Sequence, residues 1–155
     1  MRNEDKFNRG TITREEAYQA LHNGERVRFH FKDKSVEIDL HTGTSELRSQ
    51  LSSHMELTLK DVINGVFSII KEHHLKIEPQ YFLDIIKNNK SFEIRKNDRD
   101  FKVGDELVLK EYDSKQNQFT GNQIKAEITY ITDFAQQEGY VVMAINYKTN
   151  DFWKL

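Results

Sequence analysis

The feature that most constrains this chain is the one-by-one alternation of apolar and polar residues along much of its length. Val27, Phe29 and Phe31 alternate with Arg26, Arg28 and His30, and Val36, Ile38 and Leu40 alternate with Glu37 and Asp39. Phe92 and Ile94 do so with Glu93 and Arg95, as do Ile124, Ala126, Ile128 and Tyr130 with Lys125, Glu127 and Thr129. A period of two sends successive side chains to opposite faces of a strand, so these stretches predict half-buried β-sheet. The polar turn Lys32-Asp33-Lys34-Ser35 joins the first two into a hairpin with charges of both signs on its outer face. Val66 to Ile70 and Leu75 to Ile77 read as further strands. Tyr140 to Tyr147 is apolar on both faces, which predicts a central strand.

Helices enter through their caps. Thr13-Arg14-Glu15-Glu16 is a capping box, in which the Thr13 hydroxyl takes an orphan helix amide and Glu16 reaches back to the cap amide. Ala17, Ala20 and Leu21 then share a face until Asn23-Gly24 supplies the left-handed stop. Thr58-Leu59-Lys60-Asp61 starts a second capped turn, ended by Asn64-Gly65. Pro79 stands where a helix tolerates a missing amide, Phe82, Ile85 and Ile86 mark the buried face, and Asn88-Asn89 ends it. Thr42 to Leu57 is polar and weakly periodic and reads as a mobile loop.

Twelve of the seventeen aromatic residues follow position 74, whereas all six histidines precede position 75. With 37% hydrophobic residues in 155, this asymmetry predicts two small cores. The expected organisation is α+β: a flexible start over residues 1–11, a helix-plus-antiparallel-strand accessory domain over 12–72, and a small closed or nearly closed β-barrel with one or two helices over 73–155.

Composition excludes several chemistries. Without cysteine there is no disulfide, thiolate nucleophile, Cys-ligated zinc or iron–sulfur cluster. A net charge of −2 gives no global basic field to draw in nucleic acid. The spacing of His22, His30, His41, His54, His73 and His74 matches no ligand pattern, so they read as scattered surface histidines, and neither metal nor cofactor is expected. The mixed charges of the first ten residues are not a signal peptide and the longest apolar run is far too short to span a bilayer, so the expectation is a soluble, cytoplasmic protein without membrane contact.

One local charge asymmetry remains. Between Lys87 and Lys102 six cations face three anions, and Glu93 and Arg95, two apart on a strand, share a face. Arg95 offers a planar fork to a phosphate or a base edge, with Lys90, Lys96 and Arg99 adding charge around it. Tyr81 and Tyr140 are the candidate platforms for stacking a base, with core packing as the plainer role for both. The plainer reading of the charges is an ion-pair network of Glu93, Arg95 and Arg99 with Asp98 and Asp100 that pins the loop. Phe152 and Trp153 could dock back on the barrel or meet a partner.

Residues 74–99, with Lys90-Ser91-Phe92-Glu93-Ile94-Arg95 at their centre, together with Val103-Gly104-Asp105, Glu111-Tyr112-Asp113, Thr120-Gly121, Ile128-Thr129-Tyr130-Ile131 and Gly139-Tyr140-Val141-Val142, resemble the ASCH-domain superfamily, in particular a phage and bacterial subfamily. These are PUA-like β-barrels generally regarded as RNA-binding. The superfamily motif Gly-x-Lys-x-x-Glu-x-Arg is met by Lys90, Glu93 and Arg95, with Asn88 in place of the Gly. The resemblance implies a cleft beside the helix whose polar side chains face a nucleotide-like ligand, and hence a non-catalytic RNA- or nucleotide-binding module. It also leaves an alternative, since some relatives deacylate acetylated cytidine with a Lys, a Thr and a Glu. Here Lys90 matches the Lys and Glu93 stands where the Thr would be, so those two would carry any catalysis. Residues 12–27 loosely resemble small phage-encoded proteins, some of which sequester nucleotide signals, which leaves a third reading: a protein- or signal-binding role for the N-terminal domain.

Overall fold

The computed structural model describes residues 6, 8–31, 34–43, 46, 58–147 and 153–154. Most of the expected loop over 42–57, the tip of the first hairpin at Lys32-Asp33, residues 1–5 and Phe152 lie outside the described residues. The chain divides into two compact units, residues 9–71 and residues 1–8 with 72–155.

In the first unit, helix α1 (Arg14–His22) starts at the expected capping box, with Thr13 Oγ1 accepting from the Glu16 amide at 3.2 Å and Glu16 Oε2 accepting from the Thr13 amide at 2.8 Å. Gly24 at φ +78° carries the chain out of it, a conformation cheap only without a Cβ. Ala17 and Ala20 turn onto a sheet ordered β2-β1-β3, built from β1 (Arg26–Phe31), β2 (Lys34–Ile38) and β3 (Val66–Ile70). Val27, Phe29, Val36 and Phe67 complete this small core. A second short helix, α2 (Leu59–Ile63), leads into β3. Gly65 is required after it, because a Cβ there would collide with the buried Phe29 ring.

On the opposite face of that sheet the His30 ring lies 2.7 Å from Ser68 Oγ. Burial, reinforced by the Arg28 guanidinium, holds its imidazole below the ordinary 6.5. The folded state therefore favours neutral His30, and the stability this contributes is present above the unfolded value of 6.5 and is lost as pH falls through it toward the folded value. An NMR titration should place the His30 imidazole below 6.5, and His30→Gln should flatten the fall in stability between about pH 7 and pH 5.

The second unit is a curled six-stranded sheet. Its strands are β4 (Glu72–Ile77), β5 (Phe92–Lys96), β6 (Glu106–Asp113), β7 (Gln118–Thr132), β8 (Tyr140–Tyr147) and β9 (Trp153–Lys154), with helix α3 (Pro79–Ile86) after β4. The order is β4-β6-β7-β8-β5, with β9 pairing part of β7. β4 runs parallel to β6, and the other pairings are antiparallel. Phe82 and Ile85 of α3 pack with Leu107, Leu109, Ile124, Ile128 and Met143 in one core. α3 begins at Pro79 and ends before Asn88, whose φ of +58° is the left-handed turn expected of it.

Four details differ from the alternation read in the sequence. β4 starts at Glu72, earlier than the three residues expected, and carries His73 into the interior at 7% exposure. His73 is thus not a surface histidine: its Nε2 lies 2.9 Å from Asp105 Oδ2, itself fully buried, and its ring meets Phe101 edge-on at 4.7 Å. In β7 the register slips between Ile128 and Tyr130, so Ile131 turns inward and Tyr130 is left 54% exposed. A bulge of this kind shifts the phase of everything beyond it. In β5 the inside and outside are reversed, with Glu93 4% exposed and Phe92 and Ile94 at 42% and 49%. Lastly, the ladder does not close: β4 and β5 are both edge strands, and the unit is a half-barrel with a seam between them.

Candidate functional site

The seam is bridged by side chains. Arg95 Nη2 donates to Lys76 O at 2.7 Å and Arg99 Nη1 donates to His74 O at 2.7 Å, so two guanidinium groups from the β5 side hold the free edge of β4. Each bond is charge-assisted and satisfies a carbonyl that a closed barrel would have paired with a strand amide. Between these edges and the start of α3 opens a cavity of about 530 Å³. Its walls include Tyr81, Tyr112, Phe92 and Ile77, and its polar groups are Lys76, Glu78, Lys90, Glu93 and Arg95.

Local structure explains how the polar groups converge. Asn88 turns the chain sharply after α3, and the Lys90 amide bonds Asp84 O at 3.1 Å, which places Lys90 just before β5. Glu93 and Arg95 lie on one face of β5. Lys90 Nζ donates to Glu93 Oε1, and Arg95 Nη2 lies 3.1 Å from Glu93 Oε2, so the buried carboxylate is held between two cations. Lys90 Nζ also donates to Phe92 O and lies 4.7 Å from the centre of the Phe92 ring. Burying Glu93 is tolerable because both of its oxygens are paired. The ion-pair reading is therefore partly met: Glu93 and Arg95 are paired, whereas Asp98 approaches Arg99 only at 3.9 Å and Asp100 pairs with Lys102 at 3.0 Å.

The backbone adds a second set of groups. The Ile145 amide donates to Ser91 O and the Asn97 amide donates to Gly139 O, which fixes the alternation along β5. Residues 91, 93, 95 and 97 thus bond β8, and the N–H and C=O of Phe92, Ile94 and Lys96 point to the free edge. Phe92 O is taken by Lys90 Nζ, while Ile94 lines the cavity and its amide and carbonyl, turned away from β8, have no partner among the described residues. The period-two reading could not show this, because it assigns faces and not ladder edges.

Of the seven residues singled out from sequence, Tyr81, Lys90, Glu93 and Arg95 come together in this cavity. Arg99 lines an adjoining cleft that shares Lys76 and Arg95 with it. Tyr140 lies in a separate depression with Asn97, Asp133 and Gln137, and Lys96 is its register partner on the outer face, so these two stand apart. Tyr112 was missed. Its ring receives the Lys76 ammonium at 3.8 Å, and the long-range contact that brings it there has no local signature. Among the described residues no helix is long and apolar enough to cross a membrane.

Residues 72–145 match a family model described as a domain of unknown function, DUF3850. Over 74 residues the chain is 38% identical to the "Uncharacterized 12.9 kDa protein in GpA 3'region" of Escherichia phage P2, a stretch covering 47% of this chain and 66% of the phage protein. Strands β4 to β7, helix α3 and most of β8 fall within the segment matched by the family model, and so does every residue lining the cavity.

Proposed function

We propose that the six-stranded unit is an ASCH-type, PUA-like module, phage- or prophage-encoded, that binds RNA or a nucleotide in the seam cavity without transforming it. The observation that carries this reading is the reversal of β5. A strand that buries Glu93 and exposes Phe92 and Ile94 forgoes apolar burial, and it does so where three cations, three aromatic rings and an open strand edge meet. Tyr81, Tyr112 and Phe92 supply the flat apolar surface a base requires, and the Ile94 backbone with Glu93 and Arg95 supplies donors and acceptors for its edge. Asn88, Lys90, Glu93 and Arg95 stand at the motif positions of the resembled superfamily. The deacylase alternative has less support: among the described residues no serine or threonine lines the cavity, and the Lys90 ammonium is engaged by Glu93 and Phe92 O rather than by a hydroxyl.

The test is a fluorescence-anisotropy titration with short single-stranded RNA and with free nucleotides across a salt series. Tyr81 is 47% exposed with no hydrogen-bond partner among the described residues, so Tyr81→Ala can remove a stacking surface without disturbing the core. It should weaken binding by roughly 5- to 150-fold, the equivalent of about 1–3 kcal/mol for one stacked base. Tyr140→Ala should leave binding within error. The reading fails if neither RNA nor nucleotide binds, or if Tyr81→Ala and Tyr140→Ala behave alike.

A further inference from the structure

On the outer face of β4 and β6, two like-charged pairs stand in register, and the protein treats them differently. Glu72 is the register partner of Glu106, and Lys76 is the register partner of Lys110. Like charges directly opposite on neighbouring strands repel. For the acidic pair β7 supplies the remedy: Lys125 Nζ lies 3.0 Å from Glu72 Oε2 and 3.3 Å from Glu106 Oε2. Burial works against the charge on Lys125, but the two carboxylates outweigh it and hold its ammonium above the ordinary 10.5. For the basic pair the strand offers only Gln123 opposite Lys110. Neither Lys76 nor Lys110 has a carboxylate partner among the described residues; the Lys76 ammonium rests over the rings of Tyr112 and Phe119, at 3.8 Å and 5.3 Å.

The same two lysines line the cleft beside the seam cavity. That cleft, about 410 Å³, is bounded by His74, Leu75, Lys76, Arg95, Arg99, Lys110 and Phe119, with no acidic residue among the described residues of its wall. Arg95 and Arg99 are brought to it by their bonds to the β4 carbonyls, and Lys76 and Arg95 also line the main cavity. Four cations thus converge on this cleft: Arg95 is paired with Glu93 and Arg99 approaches Asp98 at 3.9 Å, whereas Lys76 and Lys110 meet no carboxylate among the described residues.

We infer that this cleft is a phosphate subsite, which takes the phosphoester attached to the nucleotide whose base occupies the seam cavity. The inference rests on the nucleotide-binding reading and adds to it the position of the phosphate and the residues that meet it. Arg99 and Lys110, which line only the second cleft, are its distinguishing residues, and Phe119 forms its apolar wall. An anion there performs for Lys76 and Lys110 what Lys125 performs for Glu72 and Glu106. Either a free nucleotide or one unit of an RNA chain presents this group.

The experiment compares a nucleoside, its 5′- and 3′-monophosphates, a short single-stranded RNA and inorganic phosphate, each titrated into the full chain and into Lys110→Gln and Lys110→Glu. Backbone amide NMR shifts and affinities are the readouts. The ratio of nucleotide to nucleoside affinity should fall by roughly two- to fivefold in Lys110→Gln, as expected for one exposed charge contact. The salt slope for RNA should drop by about one. Lys110→Glu should abolish the phosphate response while raising the thermal midpoint, because it replaces a repulsive register pair with an attractive one. A tighter response to either monophosphate than to RNA identifies a free nucleotide as the source, and the reverse identifies the chain. Nucleoside and nucleotide binding equally well, with no inorganic-phosphate shift at Lys76, Arg99, Lys110 or Phe119, would overturn the subsite and leave the base cavity standing. Phosphate shifts at those residues without any nucleoside or nucleotide binding would keep the anion cleft and overturn the base cavity.

Discussion

Replacing Glu93 by alanine is expected to cost about 3 kcal/mol of stability, toward the lower end of the range of about 3–5 kcal/mol for removing one partner of a buried ion pair. Glu93 is 4% exposed, and its two oxygens hold Lys90 on one side and Arg95 on the other. Removing the carboxylate leaves two cations facing each other without a counter-charge. The lower end applies because the Lys90 and Arg95 side chains are 16% and 28% exposed, so water can reach each of them in part. Glu93→Gln keeps the shape and one acceptor and should cost about 1–2 kcal/mol, the range for weakening a buried charged hydrogen bond. A urea-denaturation cycle of Glu93→Ala, Arg95→Ala and the double variant should show the two losses failing to add by more than about 0.5 kcal/mol, as residues in one network do. Additive losses would mean that the pair is not a unit.

The second large effect is expected at Phe82. This side chain is 1% exposed and, with Ile85, fastens α3 to Leu107, Leu109 and Met143. Phe82→Ala removes its burial and leaves a cavity, which together cost about 3–5 kcal/mol. In a unit of this size that corresponds to a fall in thermal midpoint on the order of 15 °C. Its neighbour Tyr81 lines the seam cavity from the same helix, so affinity for the proposed ligand should fall as well. Tyr81→Ala, by contrast, should move the thermal midpoint little. Differential scanning calorimetry of the two variants separates the residue that anchors the wall from the residue that forms it.

What the sequence made legible was local. The capping box at Thr13 and Glu16, the helix start at Pro79 and the left-handed Asn88 are each decided by a few adjacent residues, and each stands where their chemistry puts it. The alternation in β5 was legible too, but alternation only sorts side chains onto two faces. Which face turns inward depends on partners, and here Lys90 and Arg95 make the interior acceptable to a carboxylate. The burial of His73 was hidden for the same reason, since its partner Asp105 arrives from 32 residues away. The parallel pairing of β4 with β6 leaves no periodic mark, and from it follow both the open seam and the Lys76–Lys110 pair. Of the site, charges and one tyrosine were readable; the strand edge, Tyr112 and the second cleft were not, because they arise from long-range register.

The most direct test of the central claim is an amide chemical-shift titration of the whole chain with a short single-stranded RNA and with mononucleotides. The proposed function predicts the largest shifts at Tyr81, Lys90, Ile94 and Tyr112, with the Ile94 amide moving downfield as its open N–H donates to the ligand. Shifts confined to other surfaces, such as the depression at Tyr140 and Gln137, or no shifts at millimolar ligand, would contradict it.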